Sequence, residues 1–182
     1  MIRTVSVFGG GAPRDGQPAY QQAYALGRLL AEAGYTVMTG GYAGTMEAVS
    51  RGAKEGGAHV IGVTVGMFER AGHRPNPYLD EVVHYEDLSA RLLHVVKRAG
   101  AVIALPGGIG TLSEVALTWS LLQTREVEPM PFILLGQHWA DLLHSYYGSG
   151  EYIREADMSL WQVARTPEQA VTLVRNWDHE TR

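Results

Sequence analysis

Ala101-Val102-Ile103-Ala104-Leu105 is followed by Pro106-Gly107-Gly108-Ile109-Gly110-Thr111-Leu112-Ser113-Glu114, and then by Val115-Ala116-Leu117-Thr118-Trp119. The first run is short and apolar, as in a buried strand, and the last reads as a helix. Glycines between them permit a sharp turn and a close approach of backbone to a ligand. The first turn of the following helix leaves N–H groups without intrahelical partners, so strand, glycine turn and helix N-terminus together form an anion site. A carboxylate in that same first turn, Glu114, is unusual company for a bound anion and points to chemistry beside it.

Working outward, the same order recurs at Val7-Phe8-Gly9-Gly10-Gly11 and at Gly40-Gly41-Tyr42-Ala43-Gly44-Thr45. Apolar runs predict strands at Thr4–Phe8, Thr36–Thr39, His59–Val63, Glu81–His84, Ala101–Leu105, Phe132–Leu135 and near Leu160–Val163. Amphipathic stretches predict helices at Pro18–Ala33, Thr45–Glu55, Asp87–Ala99, Thr111–Thr124, His138–Tyr147 and Pro167–Trp177. Such alternation predicts an α/β fold, a Rossmann-like three-layer sandwich whose mainly parallel sheet has about seven strands. Residues 1–182 are expected to form one domain. Ligands of such sheets sit at the carboxyl ends of strands, and all three glycine loops follow strands. Residues Gly66 to Asp80 form the longest irregular stretch, where Pro75 and Pro77 argue against a helix. It reads either as a surface loop or as a lid over the ligand.

Composition narrows the class. The 182 residues carry a net charge of −4, which argues against a nucleic-acid-binding surface but not against a small nucleotide. No apolar run approaches the ~20 residues needed to cross a bilayer. The chain has no cysteine, hence no disulfide or thiolate site, and no secretory leader is evident. A cytoplasmic protein is expected. The seven histidines show no paired spacing such as HExxH, so neither metal nor cofactor is expected. Thr39 is followed by two glycines rather than by the acidic residue that would bind the ribose of NAD. A Gly-Lys-Ser/Thr phosphate loop is missing as well. Lys54 and Lys97, the two lysines, fall in predicted helices away from the strand ends, where a Schiff-base role in a pyridoxal enzyme has no support.

The run from Pro106 to Glu114 matches the pattern PGGxGTxxE and, with the two earlier glycine loops and Arg91, resembles the Lonely Guy (LOG) family of nucleotide phosphoribohydrolases, historically labelled lysine decarboxylases. The likeness runs from about Ile2 to Gly136. The resemblance implies hydrolysis of the N-glycosidic bond of a nucleoside 5′-monophosphate, an adenine nucleotide with or without an N6-prenyl group, by a homodimer. It also implies that Arg91 and Glu114 are catalytic. Residues Leu88, Ser89 and Leu92 depart from the family's usual Met-His-x-Arg-Lys, and Thr45 stands where Leu is frequent. Molybdenum-cofactor carriers have a similar fold, and a non-catalytic carrier of a pterin phosphate is the alternative reading.

Individual residues carry competing expectations. Thr111 and Glu114 have capping-box spacing, in which each side chain would satisfy an exposed backbone N–H. Alternatively Glu114, on one helical face with Leu117, Thr118 and Leu121, steadies positive charge on the sugar and activates water. Arg91 falls at the flank of its helix's apolar stripe (Leu88, Leu92, Val95, Val96, Ala99), and would hold either the phosphate or the leaving base. Phosphate contacts are expected from Gly9, Gly10, Gly41, Gly44, Thr45, Gly107, Gly108, Gly110 and Thr111, with Thr45 also read as an N-cap. The Thr111–Thr124 helix is apolar nearly all round, which predicts a dimer interface involving Trp119 and Leu122.

Overall fold

The computed structural model describes residues 2–180. Its strands are β1 (Thr4–Phe8), β2 (Thr36–Thr39), β3 (Val60–Val65), β4 (Glu81–Tyr85), β5 (Ala101–Ala104), β6 (Phe132–Leu135) and β7 (Gln162–Ala164). They form one sheet in the order β4-β3-β2-β1-β5-β6-β7, and every pairing is parallel. The chain builds outward from β1 to one edge, then returns to lay β5, β6 and β7 on the other side. The order therefore reverses between β1 and β5, where loops leaving the two carboxyl ends part and open a crevice.

Alternation along the central strands supplies both faces. Val5 and Val7 pair in register with Ala101 and Ile103 and turn to one core, packed by α1 (Pro18–Glu32), α2 (Thr45–Glu55) and α8 (Pro167–Glu180). Phe8, Val102 and Ala104 turn to the other core, beneath α4 (Leu88–Lys97), α5 (Ile109–Gln123) and α6 (Gln137–Tyr147). Ser6 points to that second face too, and its buried hydroxyl donates to the Val95 carbonyl at 2.6 Å. Among the described residues no helix is long and apolar enough to cross a membrane.

The structure departs from the sequence reading at six points. The stretch from Gly66 opens with a short helix, α3 (Gly66–Arg70), because Met67 to Arg70 are competent helix formers and both prolines lie beyond its end. Helix α5 begins at Ile109 with Gly108 as N-cap, so Thr111 and Glu114 lie inside the helix and form no capping box. Thr45 is likewise the first residue of α2 and not its cap, which is Gly44 at φ 76°. Another short helix, α7 (Glu155–Met158), was not foreseen, and β7 starts two residues later than expected. Finally, Trp119 and Leu122 belong to the core of this chain: both are buried, and the Trp119 indole N–H donates to the Asp157 carbonyl at 2.8 Å. They are not available to a partner.

Helices α1 and α2 are held at backbone contact by Gly27 and Gly52. A Cβ at Gly27 would run into the carbonyl of Val49, and one at Gly52 into that of Tyr24. Alanine favours a helix interior over glycine by about 1 kcal/mol. Gly27→Ala should nevertheless lower stability, by about 2 kcal/mol, because the helices must separate. Urea unfolding checks this; an unchanged or raised midpoint would show that the contact is not tight.

Candidate active site

Three glycine loops meet at the reversal of strand order and are laced together through one residue, Gly10. Gly10 O accepts both the backbone N–H of Thr45 (2.9 Å) and its hydroxyl (3.1 Å). The Gly10 N–H in turn donates to Pro106 O at 3.3 Å. Gly44 lies so close that any side chain there would strike the Gly10 backbone, and its positive φ suits glycine besides. Thr45 thus spends its donors on the protein.

Above this lacing lies a cavity of about 560 Å³. Of the expected phosphate residues, Gly9, Gly10, Gly108, Gly110 and Thr111 line it, whereas Gly41, Gly44, Thr45 and Gly107 do not. The first-turn amides of α5, at Ile109, Gly110 and Thr111, lack intrahelical carbonyls, as at any helix start. Arg14, whose direction the sequence left open, also lines the cavity; its Nη1 donates to the carbonyls of Gly11 (2.7 Å) and Ala12 (2.8 Å). Asp15 turns away to Arg51.

Arg91 and Glu114 meet in the cavity. Arg91 Nη1 donates to Glu114 Oε1 at 3.2 Å, and Arg91 Nε donates to Val63 O, within β3, at 2.9 Å. Both residues are buried, at 5% and 7% exposure. Arg91 is therefore enclosed, not flanking, while Leu88 of the expected apolar stripe is 36% exposed and lines the cavity. The cause is Gly40: the guanidinium fills the space that a side chain at the end of β2 would take. Burial pushes the Glu114 carboxyl up to about 7, against the opposing pull of Arg91.

The opposite wall comes in part from the Gly66 to Asp80 stretch, for which a lid over the ligand was one of the two readings. Tyr42, Phe68 and His73 contact one another edge to face, with ring centroids 5.6 to 6.0 Å apart, and Met46 and Met67 lie beside them. Tyr42 is fixed by its hydroxyl, which donates to Val65 O and accepts from Val65 N–H. Buried Asn76 ties the 66–80 segment down: its N–H donates to Gly41 O at 2.8 Å and its side-chain amide to Tyr42 O at 3.1 Å. The segment is thus a wall of the cavity, and the sequence signal for it was Asn76 between two prolines. Neither lysine lines the cavity: Lys54 pairs with Asp80 and Lys97 with Glu126. Among the described residues no three His, Asp or Glu side chains cluster to hold a metal ion.

Fold and site together define a parallel α/β protein with a glycine-lined crevice at the reversal of strand order and a buried carboxylate–guanidinium pair. Residues 46–174 match the family described as "possible lysine decarboxylase", and the chain belongs to this family, the LOG family. It is 37% identical over 128 residues to a cytokinin riboside 5′-monophosphate phosphoribohydrolase of Arabidopsis thaliana, covering 66% of this chain and 57% of that one. With the enzyme of the same name from Mycobacterium marinum it shares 36% identity over 121 residues, covering 64% and 62%. The matches thus span about three fifths of these relatives. The molybdenum cofactor binding protein from the phototrophic bacterium Rippkaea orientalis is similar in structure, with a TM-score of 0.75, 27% identity and 97% of each chain covered.

A carboxyl raised by burial makes stability depend on pH in a defined direction. The folded state holds the Glu114 proton up to about 7, the unfolded chain only to about 4.5, so stability is full below 4.5 and falls as pH rises through 7. Glu114→Gln should flatten this slope. Thermal midpoints across that range measure it, and an equal slope in the variant would show that Glu114 ionises normally.

Proposed function

We propose that this protein is a nucleoside 5′-monophosphate phosphoribohydrolase, cleaving the N-glycosidic bond of an adenine-type nucleotide to free base and ribose 5-phosphate. The observation that carries this reading is the Glu114 carboxyl, raised to about 7 and paired with Arg91 beside the N-terminus of α5. The phosphate is held by the first-turn amides of α5, at Ile109, Gly110 and Thr111, which face the crevice. As the bond to the base breaks, positive charge develops on the sugar. The ionised Glu114 offsets that charge and takes a proton from the attacking water, work suited to a group titrating near neutral pH. Arg91, anchored to Val63 O, fixes the carboxylate and favours its charged form.

The likeness to a molybdenum cofactor binding protein over 97% of the chain supports a second reading, a carrier that binds a phosphate-bearing ligand without chemistry. Incubation with AMP and chromatography for adenine separates the two. Wild type should release adenine, and Glu114→Gln should do so at least ~100-fold more slowly while still binding nucleotide. Binding without release by wild type would favour the carrier.

We also propose a homodimer, formed through the apolar residues that α4 and α5 leave in solvent beside the cavity. Ile109 is 78% exposed, Leu112 37% and Leu88 36%. Covering about 800 Å² per protomer is the usual extent of a stable interface. Light scattering should give twice the 19.9 kDa chain mass, and Ile109→Asp with Leu112→Asp should return the monomer. A wild-type monomer would overturn the proposal.

A further inference from the structure

Departure of a nucleobase is slow unless the electron pair it carries away is met by a proton, and the Arg91–Glu114 pair does not supply one to the base. Five titratable side chains line the cavity: Arg14, Tyr42, His73, Arg91 and Glu114. Guanidinium groups hold their protons throughout the physiological range, which removes Arg14 and Arg91. The Tyr42 hydroxyl is engaged on both sides, donating to Val65 O and accepting from Val65 N–H. Glu114 is assigned to the water. His73 remains. Among the described residues its ring makes contacts with Tyr42 and Phe68 but its nitrogens have no protein hydrogen-bond partner.

Its place follows from the strand order. The amides that suit a phosphate stand at the start of α5, after β5, while Tyr42 follows β2 and Phe68 and His73 follow β3. Three strand intervals separate β5 from β3, ~14 Å at the usual spacing, which leaves room for a ribose between phosphate and base. Arg91 and Glu114 bridge this gap from Val63 O on β3 to α5 after β5. The base then falls among the aromatic rings. His73 is held there by its backbone N–H, which donates to Phe68 O at 3.0 Å, by the turn at Gly72 (φ 93°), and by Asn76 three residues on.

Resting on the hydrolase reading, we propose that His73 is the acid that protonates the departing base. As the C1′–N bond breaks, its electrons pass into the base and the imidazolium N–H proton goes to a base ring nitrogen. Water oxygen bonds to C1′, and its proton goes to Glu114. Solvent then returns a proton to His73 and removes one from Glu114, so the balance is nucleotide plus water to base plus ribose 5-phosphate. Imidazole is the side chain whose proton exchange suits this task near neutral pH.

The test compares two leaving groups. AMP needs a proton on its base, whereas a ribose 5-phosphate carrying 4-nitrophenol at C1′ releases a stable phenolate unaided. His73→Phe keeps a ring against Tyr42 and Phe68, and His73→Gln keeps polarity; thermal midpoints confirm that both fold. Both variants should lose about 100-fold or more in kcat on AMP but less than about tenfold on the nitrophenyl substrate. Equal losses on both substrates, or full AMP turnover by His73→Phe, would overturn the role of His73 while leaving the hydrolase reading intact. Wild type that releases neither adenine nor nitrophenol would instead overturn both.

Discussion

The carbonyl of Gly10 is the point on which the crevice depends. It accepts the amide and hydroxyl of Thr45, while its own residue's N–H reaches Pro106 across the reversal of strand order. Three loops from β1, β2 and β5 are thereby joined backbone to backbone. Donors that a reading of the sequence gives to a ligand, those of Thr45, are consumed in holding the loops. The donors left over, at the start of α5, are the ones that face the cavity. The N-terminus of α2 is therefore structural and that of α5 is free for an anion, although both follow a strand and a glycine turn.

A second constraint is the pair beneath the cavity. Removing two charges from water is costly, and well-packed apolar residues in place of a buried ion pair are commonly as stable or more so. Helices α4 and α5 already share an apolar core through Val95, Val96, Val115 and Trp119, so nothing in the packing requires Arg91 and Glu114. Arrangements made for them are visible instead. Gly40 leaves room for the guanidinium, and Val63 O holds its Nε. Leu88 and Leu92, lining the same cavity, add apolar surface around it. An apolar surround weakens the ionised form of Glu114, and the same surround would strengthen its pull on a positive sugar.

The fold was legible because buried parallel strands read as apolar runs and the helices between them are amphipathic, a pattern local in sequence. Glu114 was legible from the glycine turn before it. Arg91 was legible as a candidate but not as a buried one, since periodicity ranks positions by hydrophobicity and cannot register the space left by Gly40, far away in the chain. The capping-box alternative at Thr111 failed for a similar reason: the N-cap is Gly108, three residues earlier, and Arg91 draws Glu114 inward. For the wall formed by Tyr42, Phe68 and His73 the sequence offered only a lid at 66–80 as one of two readings, and the ring contacts escaped. Aromatic residues dispersed over a loop, the short α3 and the turn after it have no period, and only the fold brings them into contact. Trp119 and Leu122 show the converse error, for an apolar helix in a three-layer protein finds partners in its own chain, including the short α7 that carries Asp157.

Relatives that hydrolyse nucleotides and a neighbour that binds a cofactor share this scaffold, so the scaffold itself does not decide between chemistry and carriage. Both need an anion site, and the α5 N-terminus would serve either. A carrier gains nothing from a carboxyl at the floor of an anion site: its charge would repel a phosphate, and its burial costs stability above pH 7. A hydrolase does gain. In that reading the carboxyl would accept a proton from water at neutral pH, and Arg91 would keep enough of it ionised to meet the charge that grows on the sugar. The cost of burying Glu114 is then the physical ground on which the hydrolase reading stands above the carrier.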